Sequence, residues 1–248
     1  MTPSTGVFVT GTDTAVGKTL VTAALVSRLV QEGRSVGVMK PVETGVNFDS
    51  SPDSDAARLM AAAAVKDTFD LVSPYRFSAP LAPLSAAAAQ GRVIELEDIV
   101  GRYDQLAARY PCVAVEGAGG LLVPVGNDWD MGDLISRLAL PVMLVGRSGL
   151  GGINHALLTL EALEHRKIPV VALVLNETVS STSPVQQEQC ASTVALLRER
   201  IAVPLLGPLP YQPQLDHAWN DTVEQVAASR TISELAELVW QAVAGSSG

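Results

Sequence analysis

The chain runs to 248 residues, 48% apolar and 17% charged, so it can bury a sizeable core and is not a disordered segment. A formal net charge of −9 excludes the broad basic face that nucleic acid or an anionic membrane would require. Any anion it binds must be held by a local device.

The predicted elements alternate along the chain. Gly6–Thr10 is a short apolar strand, and Lys18–Glu32 follows with helical periodicity and a stop at Gly33. Ser35–Lys40 is a second strand. Asp53–Ala64 and Ile94–Ala108 are helices, the first with Asp53 or Asp55 as its expected cap. Cys112–Glu116 and Pro141–Gly146 are strands, Asn154–Arg166 a helix, Val170–Asn176 a strand and Pro184–Arg200 a helix. Val203–Gly207 is the last strand and Ser233–Ala244 the closing helix. Strands apolar at nearly every position belong to a parallel sheet covered on both faces. Their alternation with helices implies right-handed crossovers. With no repeat and no linker composition, the expectation is a single α/β domain over residues 1–248, its mostly parallel central sheet covered by helices on both faces.

Cys112 and Cys190 cannot build a disulfide framework, and no CxxC is present. Cys112 reads as a core residue, and Cys190 carries no functional signal. His155, His165 and His217 lack metal-ligand spacing and read as helix-surface or loop residues. Lys18 is the first basic residue, so no signal-peptide n-region is expected. The longest uncharged stretches, Phe77–Gly91 and Ile201–Leu215, are too short and too broken by proline to span a bilayer. A cytoplasmic protein is expected.

In such a sheet ligands collect at the carboxyl ends of the strands, and the unusual polar residues gather there. After the first strand come Gly11-Thr12-Asp13-Thr14-Ala15-Val16-Gly17-Lys18-Thr19, a glycine-bounded loop opening into a helix. Its backbone N–H groups can surround phosphate oxygens, Lys18 can reach the β- and γ-phosphates, and the Thr19 hydroxyl can bind Mg²⁺. Five residues separate Gly11 from Gly17 where the common pattern has four, so the loop is a variant. Glu116 precedes Gly117-Ala118-Gly119-Gly120 and could hold Mg²⁺, directly or through water. Lys40 closes an apolar strand and offers a second cation to a transferring phosphoryl group. The loop from Val42 to Ser54 carries Thr44 and the carboxylates Asp49 and Asp53, with Asp55 just beyond it.

Together these residues resemble dethiobiotin synthetase, an ATP-dependent ligase family of biotin biosynthesis. The matching stretches are VTGTDTAVGKT (Val9–Thr19), KPVETG (Lys40–Gly45), SDA (Ser54–Ala56), VEGAGG (Val115–Gly120), GLGGINHALLT (Gly149–Thr159), LVLNE (Leu173–Glu177) and PLLGPLPY (Pro204–Tyr211). The resemblance implies a P-loop NTPase fold and a homodimer that shares its active sites. It implies conversion of 7,8-diaminononanoate, CO₂ (bicarbonate) and ATP to dethiobiotin, ADP and phosphate, through an N-carbamate and a carbamic–phosphoric anhydride.

It also implies roles for single residues. Lys40, Lys18 and Thr14 match catalytic positions, and Thr19, Asp55 and Glu116 match the Mg²⁺ ligands. Ala15, Val16, Gly17, Lys18, Thr19, Leu20, Asp55, Glu116, Gly117, Ala118 and Gly119 match the phosphate side of the ATP site. Asn176, Glu177, Pro210, Tyr211 and Gln212 match its base side, with Asn176 reading adenine. Thr44, Gly151, Gly152 and Asn154 match substrate contacts, the last three from the partner subunit. Ala15 departs from relatives with an acidic residue there, which puts substrate affinity rather than the reaction in question. Two other P-loop classes are disfavoured. Partitioning or iron-protein ATPase switches carry a lysine where this chain has Asp13, and cobyrinate-type amidotransferases need a further glutaminase domain.

Overall fold

A computed structural model of the chain describes residues 5–46 and 52–245; the predicted loop carboxylate Asp49 lies outside them. β1 (Gly6–Gly11) leads to α1 (Lys18–Gln31), β2 (Val36–Met39), β3 (Val42–Thr44), α2 (Asp55–Ala63), α3 (Phe69–Val72) and β4 (Tyr75–Phe77). Next come α4 (Pro83–Ala89), α5 (Leu96–Ala107), β5 (Cys112–Gly120), α6 (Met131–Leu138), β6 (Val142–Arg147) and α7 (Gly152–His165). β7 (Val170–Asn176), α8 (Pro184–Arg200), β8 (Leu205–Leu209), α9 (Trp219–Ala227) and α10 (Arg230–Gly245) complete it. Among the described residues no helix is long and apolar enough to cross a membrane.

Six strands form one sheet in the order β2-β5-β1-β6-β7-β8, every neighbouring pair parallel. Successive strand residues point to opposite faces, and each face has its own core. Val7 and Val9 of β1 join Leu25, Leu59, Val226 and Leu235 under α1, α2, α9 and α10. Phe8 between them joins Ile99, Leu134 and Leu163 under α5, α6 and α7. Burial on both sides is why the strands read as unbroken apolar runs. The expected fold class is the observed one.

Several boundaries differ from expectation. β5 does not end at Glu116 but pairs on through the glycines, as far as Gly11 opposite Gly120. β8 starts two residues late, at Leu205, because Pro204 has no N–H to pair. The cap of α2 is neither Asp53 nor Asp55 but Ser54, whose side chain accepts the Ala57 N–H at 3.1 Å. β3 lies in a segment expected to be loop and pairs with β4 as a separate two-stranded ribbon.

This topology gathers chemistry at one edge. From β1 the chain crosses to β2, beyond β5, whereas after β5 it continues at β6 on β1's other side. The order therefore reverses about β1, the point at which open α/β sheets leave a crevice. Gly11, Gly120, Arg147 and Asn176 all stand at carboxyl ends along this edge, and Lys40 directly follows β2.

Candidate active site

Between β1 and α1 the chain turns through two left-handed residues, Ala15 (φ 54°) and Gly17 (φ 92°). That conformation is free for glycine and costs an alanine about 1–2 kcal/mol. Gly17 is the N-cap of α1 and supplies no side chain, so first-turn N–H groups stay available to a ligand. α7 likewise starts on a left-handed glycine, Gly151, without a side-chain cap. By contrast α2, α6 and α8 are capped by Ser54, Asp130 and Ser183.

The buried Lys18 side chain curls back and donates to the Asp13 carbonyl at 3.0 Å. Burial, reinforced by the nearby Lys40 charge, pushes its pKa from 10.5 down to about 8. Lys40 is 4% exposed and bridges two carboxylates, Glu116 Oε1 at 2.6 Å and Asp55 Oδ2 at 2.7 Å. Burial opposes its charge, but Glu116 and Asp55 outweigh burial and hold its pKa above the ordinary lysine value. Burial also works against the Asp55 carboxylate, and the Lys40 charge outweighs it, so that group sits below its usual range. Glu116 Oε1 further accepts the Thr19 hydroxyl at 2.9 Å. Residues 19, 40, 55 and 116 thus form one charge-linked cluster.

Glu43 orders this cluster from behind. Its buried carboxylate accepts the N–H groups of Asp55 (2.6 Å) and Ala56 (3.3 Å), which aims the first turn of α2 at Lys40. Burial, then the Asp55 charge, raise its pKa.

A cavity of about 510 Å³ opens over these groups. Every candidate from Thr14 to Leu20 except Val16 lines it, together with Lys40, Thr44, Asp55, Ala118 and Gly119. At its rim the Arg58 guanidinium lies 4.1 Å over the Trp219 ring. Val16 and Gly117 are buried behind the wall. Glu116 is fully buried, and its Oε2 has no hydrogen-bond partner.

The donor set fits Mg²⁺. A hydroxyl and two carboxylates are oxygen ligands of the kind this ion takes, and the orphaned Glu116 Oε2 is an unspent acceptor in a buried place. Among the described residues no group of three or more His, Cys, Asp or Glu could cage a metal alone. Mg²⁺ usually binds through one or two carboxylates plus water and phosphate.

The remaining candidates fall outside the cavity. Asn176 Nδ2 donates to the Val16 carbonyl at 3.0 Å, and its buried Oδ1 has no partner. Its amide presses on Gly17: a Cβ there would lie 2.2 Å from Nδ2. Glu177 donates its N–H to the Leu209 carbonyl at 2.9 Å and accepts the Cys190 thiol at 3.6 Å. Tyr211 is 40% exposed, and Gln212 reaches back to the Pro210 carbonyl at 2.9 Å. Gly151 and Asn154 are exposed at the start of α7. Gly152 packs on the Arg147 carbonyl, 2.2 Å from where its Cβ would be.

One expectation changes here. His155 is not simply a helix-surface residue, because its Nδ1 lies 3.0 Å from Arg147 Nη2. The same nitrogen reaches Asp13 Oδ2 at 2.9 Å. Sequence reasoning missed Arg147, Glu43 and the Arg58–Trp219 rim. Arg147 had a usable signal, since it follows the apolar run PVMLVG in the strand-end position that singled out Lys40 and Asn176.

A protein-family model described as an AAA domain matches residues 5–218. An ATP-dependent dethiobiotin synthetase BioD of Anaeromyxobacter dehalogenans is 43% identical over 211 residues, 85% of this chain and 92% of that protein. The enzyme of the same description from Bacillus licheniformis is 40% identical, over 88% of this chain and 93% of its own length. Among solved structures, the Pyrococcus furiosus cell division ATPase MinD aligns over 95% of this chain and 99% of its own, with TM-score 0.57 and 17% identity. The Aquifex aeolicus MinC:MinD complex aligns over 94% of each chain, with TM-score 0.56 and 14% identity. At such identities the structural likeness extends to the fold alone.

Proposed function

The chain belongs to the ATP-dependent dethiobiotin synthetase family, and from that premise we propose how its residues divide the work. Its activity is the ATP-dependent synthesis of dethiobiotin in biotin biosynthesis. The substrates in this reading are 7,8-diaminononanoate, CO₂ and ATP. One amine adds to CO₂ and loses a proton, giving a carbamate. A carbamate oxygen attacks the γ-phosphorus and ADP leaves. The second amine then attacks the carbonyl carbon, phosphate leaves, and the ureido ring is closed.

The chain's own groups suit each demand. The N–H groups of Gly17 to Leu20 and the Lys18 ammonium hold the phosphates, with Ala15 and Val16 shaping the loop. Lys40, kept charged by its two carboxylates, supplies a fixed cation beside the carbamate and the transferring phosphoryl group. Thr14 and Thr44 border the reacting end of the diamine. Thr19, Asp55 and Glu116 would hold Mg²⁺, whose charge neutralises the phosphates when bound. Ala118 and Gly119 border the phosphates, with Gly117 packed behind them against Phe8 and Met131. The free Asn176 Oδ1 suits the exocyclic amine of adenine, with Glu177 and Pro210–Gln212 bordering the base.

The remote carboxylate of the substrate is assigned to Gly151, Gly152 and Asn154 of a second subunit in a homodimer. That none of them lines the chain's own cavity supports this, as do the exposed Leu122, Leu150 and Leu158. Mixing inactive Lys18→Ala and Asn154→Ala chains should then regain activity, since one hybrid site is whole. No regain with exchanging subunits would mean that each site is complete in one chain. A cytoplasmic setting agrees with the substrates.

The observation that carries the reading is Lys18, Thr19, Lys40 and Asp55 converging on one cavity, with Glu116 buried behind Thr19 and Lys40. Purified protein with MgATP, diaminononanoate and ¹³C-bicarbonate should place one label in each dethiobiotin, with one ADP and one phosphate. ATP hydrolysis without label in the product would overturn the mechanism.

A further inference from the structure

We propose that Arg147 is a positioning residue, holding the first turn of the phosphate loop in shape through Asp13; this deepens the functional reading above and rests on it. The loop segment Thr12–Thr14 lies in neither strand nor helix, so something else must fix it. β6 does so at two points, two residues apart. The Thr12 N–H donates to the Val145 carbonyl at 2.9 Å, and Asp13 Oδ2 accepts Arg147 Nη2 at 2.9 Å.

Asp13 passes the restraint on. Its Oδ1 accepts the Thr14 N–H at 2.7 Å, and its carbonyl accepts Lys18 Nζ at 3.0 Å. One ion pair therefore sets both the residue beside the carbamate and the lysine of the phosphoryl group. Arg147 is itself held in place. Its backbone carbonyl is covered by Gly152, and the adjacent Ser148 N–H donates to the Asn176 carbonyl at 3.2 Å.

The second hydrogen of Nη2 goes to His155 Nδ1. A guanidinium only donates, so that ring nitrogen accepts and the imidazole proton sits on Nε2. Arg147 Nε is buried with no partner, a cost that folding alone gives no reason to keep. The guanidinium thus ties the loop to the first turn of α7, where Asn154 stands.

In-line transfer tolerates little error, since a misplacement of about 1 Å can cost on the order of 10² in rate. Arg147→Gln should lower kcat about 10- to 100-fold, with KM for ATP within about threefold, because the α1 N–H groups are untouched. Arg147→Lys keeps a cation for Asp13 and should recover to within about fivefold of wild type. Asp13→Asn should match Arg147→Gln, and the double variant should be no worse than either, since both remove one contact. Wild-type kcat in Arg147→Gln, losses that multiply in the double variant, or no recovery in Arg147→Lys would each overturn the proposal.

Amide hydrogen exchange separates this inference from the functional reading. Exchange at the Thr14 N–H should rise about tenfold or more in Arg147→Gln, with global exchange unchanged. Unchanged Thr14 exchange overturns the positioning role whatever the wild type synthesises. A wild type that makes no dethiobiotin would sink the functional reading alone.

Discussion

The two ends of the ligand-facing edge are built differently. At β1, β2 and β5 the charged side chains are tied down: Lys18 to the Asp13 carbonyl, Lys40 to the Asp55 and Glu116 carboxylates, and Glu43 to the Asp55 N–H. At β7 and β8 the contacts are sparse. Asn176 keeps an unspent acceptor, and Gln212 bonds only within its own loop. The first end is preorganised for charge that develops during a reaction. The second can recognise a group that never reacts. Changes at the first should therefore appear in kcat, and changes at the second in KM.

The largest effect that would sharpen this contrast is Lys18→Ala, which should reduce turnover about 10³-fold or more at saturating ATP, measured by phosphate release. Lys40→Ala should follow, with kcat down about 10²–10³. Turnover near wild type in Lys40→Ala would mean that the tied end is not the reacting end.

A smaller, graded effect comes from pH. The Lys18 pKa in the free protein lies near 8 because burial and Lys40 disfavour its charge. In the proposed reading the ammonium form binds phosphate, so kcat/KM for ATP should be level below pH 8. It should fall about tenfold per unit above pH 8, not above the ordinary 10.5. Lys18→Arg, charged throughout, should lack that limb even if slower. A limb unchanged in Lys18→Arg would assign it to another group.

The smallest effects belong to the β7–β8 edge. Asn176→Ala should raise KM for ATP about tenfold and narrow the gap between ATP and GTP, leaving saturated kcat within about twofold. Tyr211→Ala should change either constant by about twofold at most, as suits an exposed ring. A large kcat loss at Asn176 that saturating ATP does not restore would break the comparison.

These contrasts also mark what could be read from the chain beforehand. β1, β5, β6 and β7 were legible because burial on both faces makes them apolar at nearly every position. β3, α3 and β4 are three or four residues long, too short to display any period. α6 had a signal that went unread, the reciprocal Asp130–Asp133 capping box. The phosphate loop was legible because glycine spacing is local. Glu43 was not, because it acts through partners chosen by the fold, and the strand-end position of Arg147 marked the residue without naming its partner. Asp13 is 134 positions from Arg147, and nothing in either neighbourhood announces the other.

The contact between Gly17 and Asn176 limits how this enzyme could be redesigned. The two touch so closely that even a methyl group at position 17 would displace the amide. A bulkier residue at 176 would press the other way, into the phosphate loop. Asn176→Asp keeps the volume but turns a carboxylate toward the Val16 carbonyl, replacing a bond with repulsion. A library meant to retune nucleotide choice should therefore hold 17 and 176 fixed and vary Glu177 and Tyr211. In the proposed reading, the choice of base is thereby mechanically joined to the grip on its phosphates.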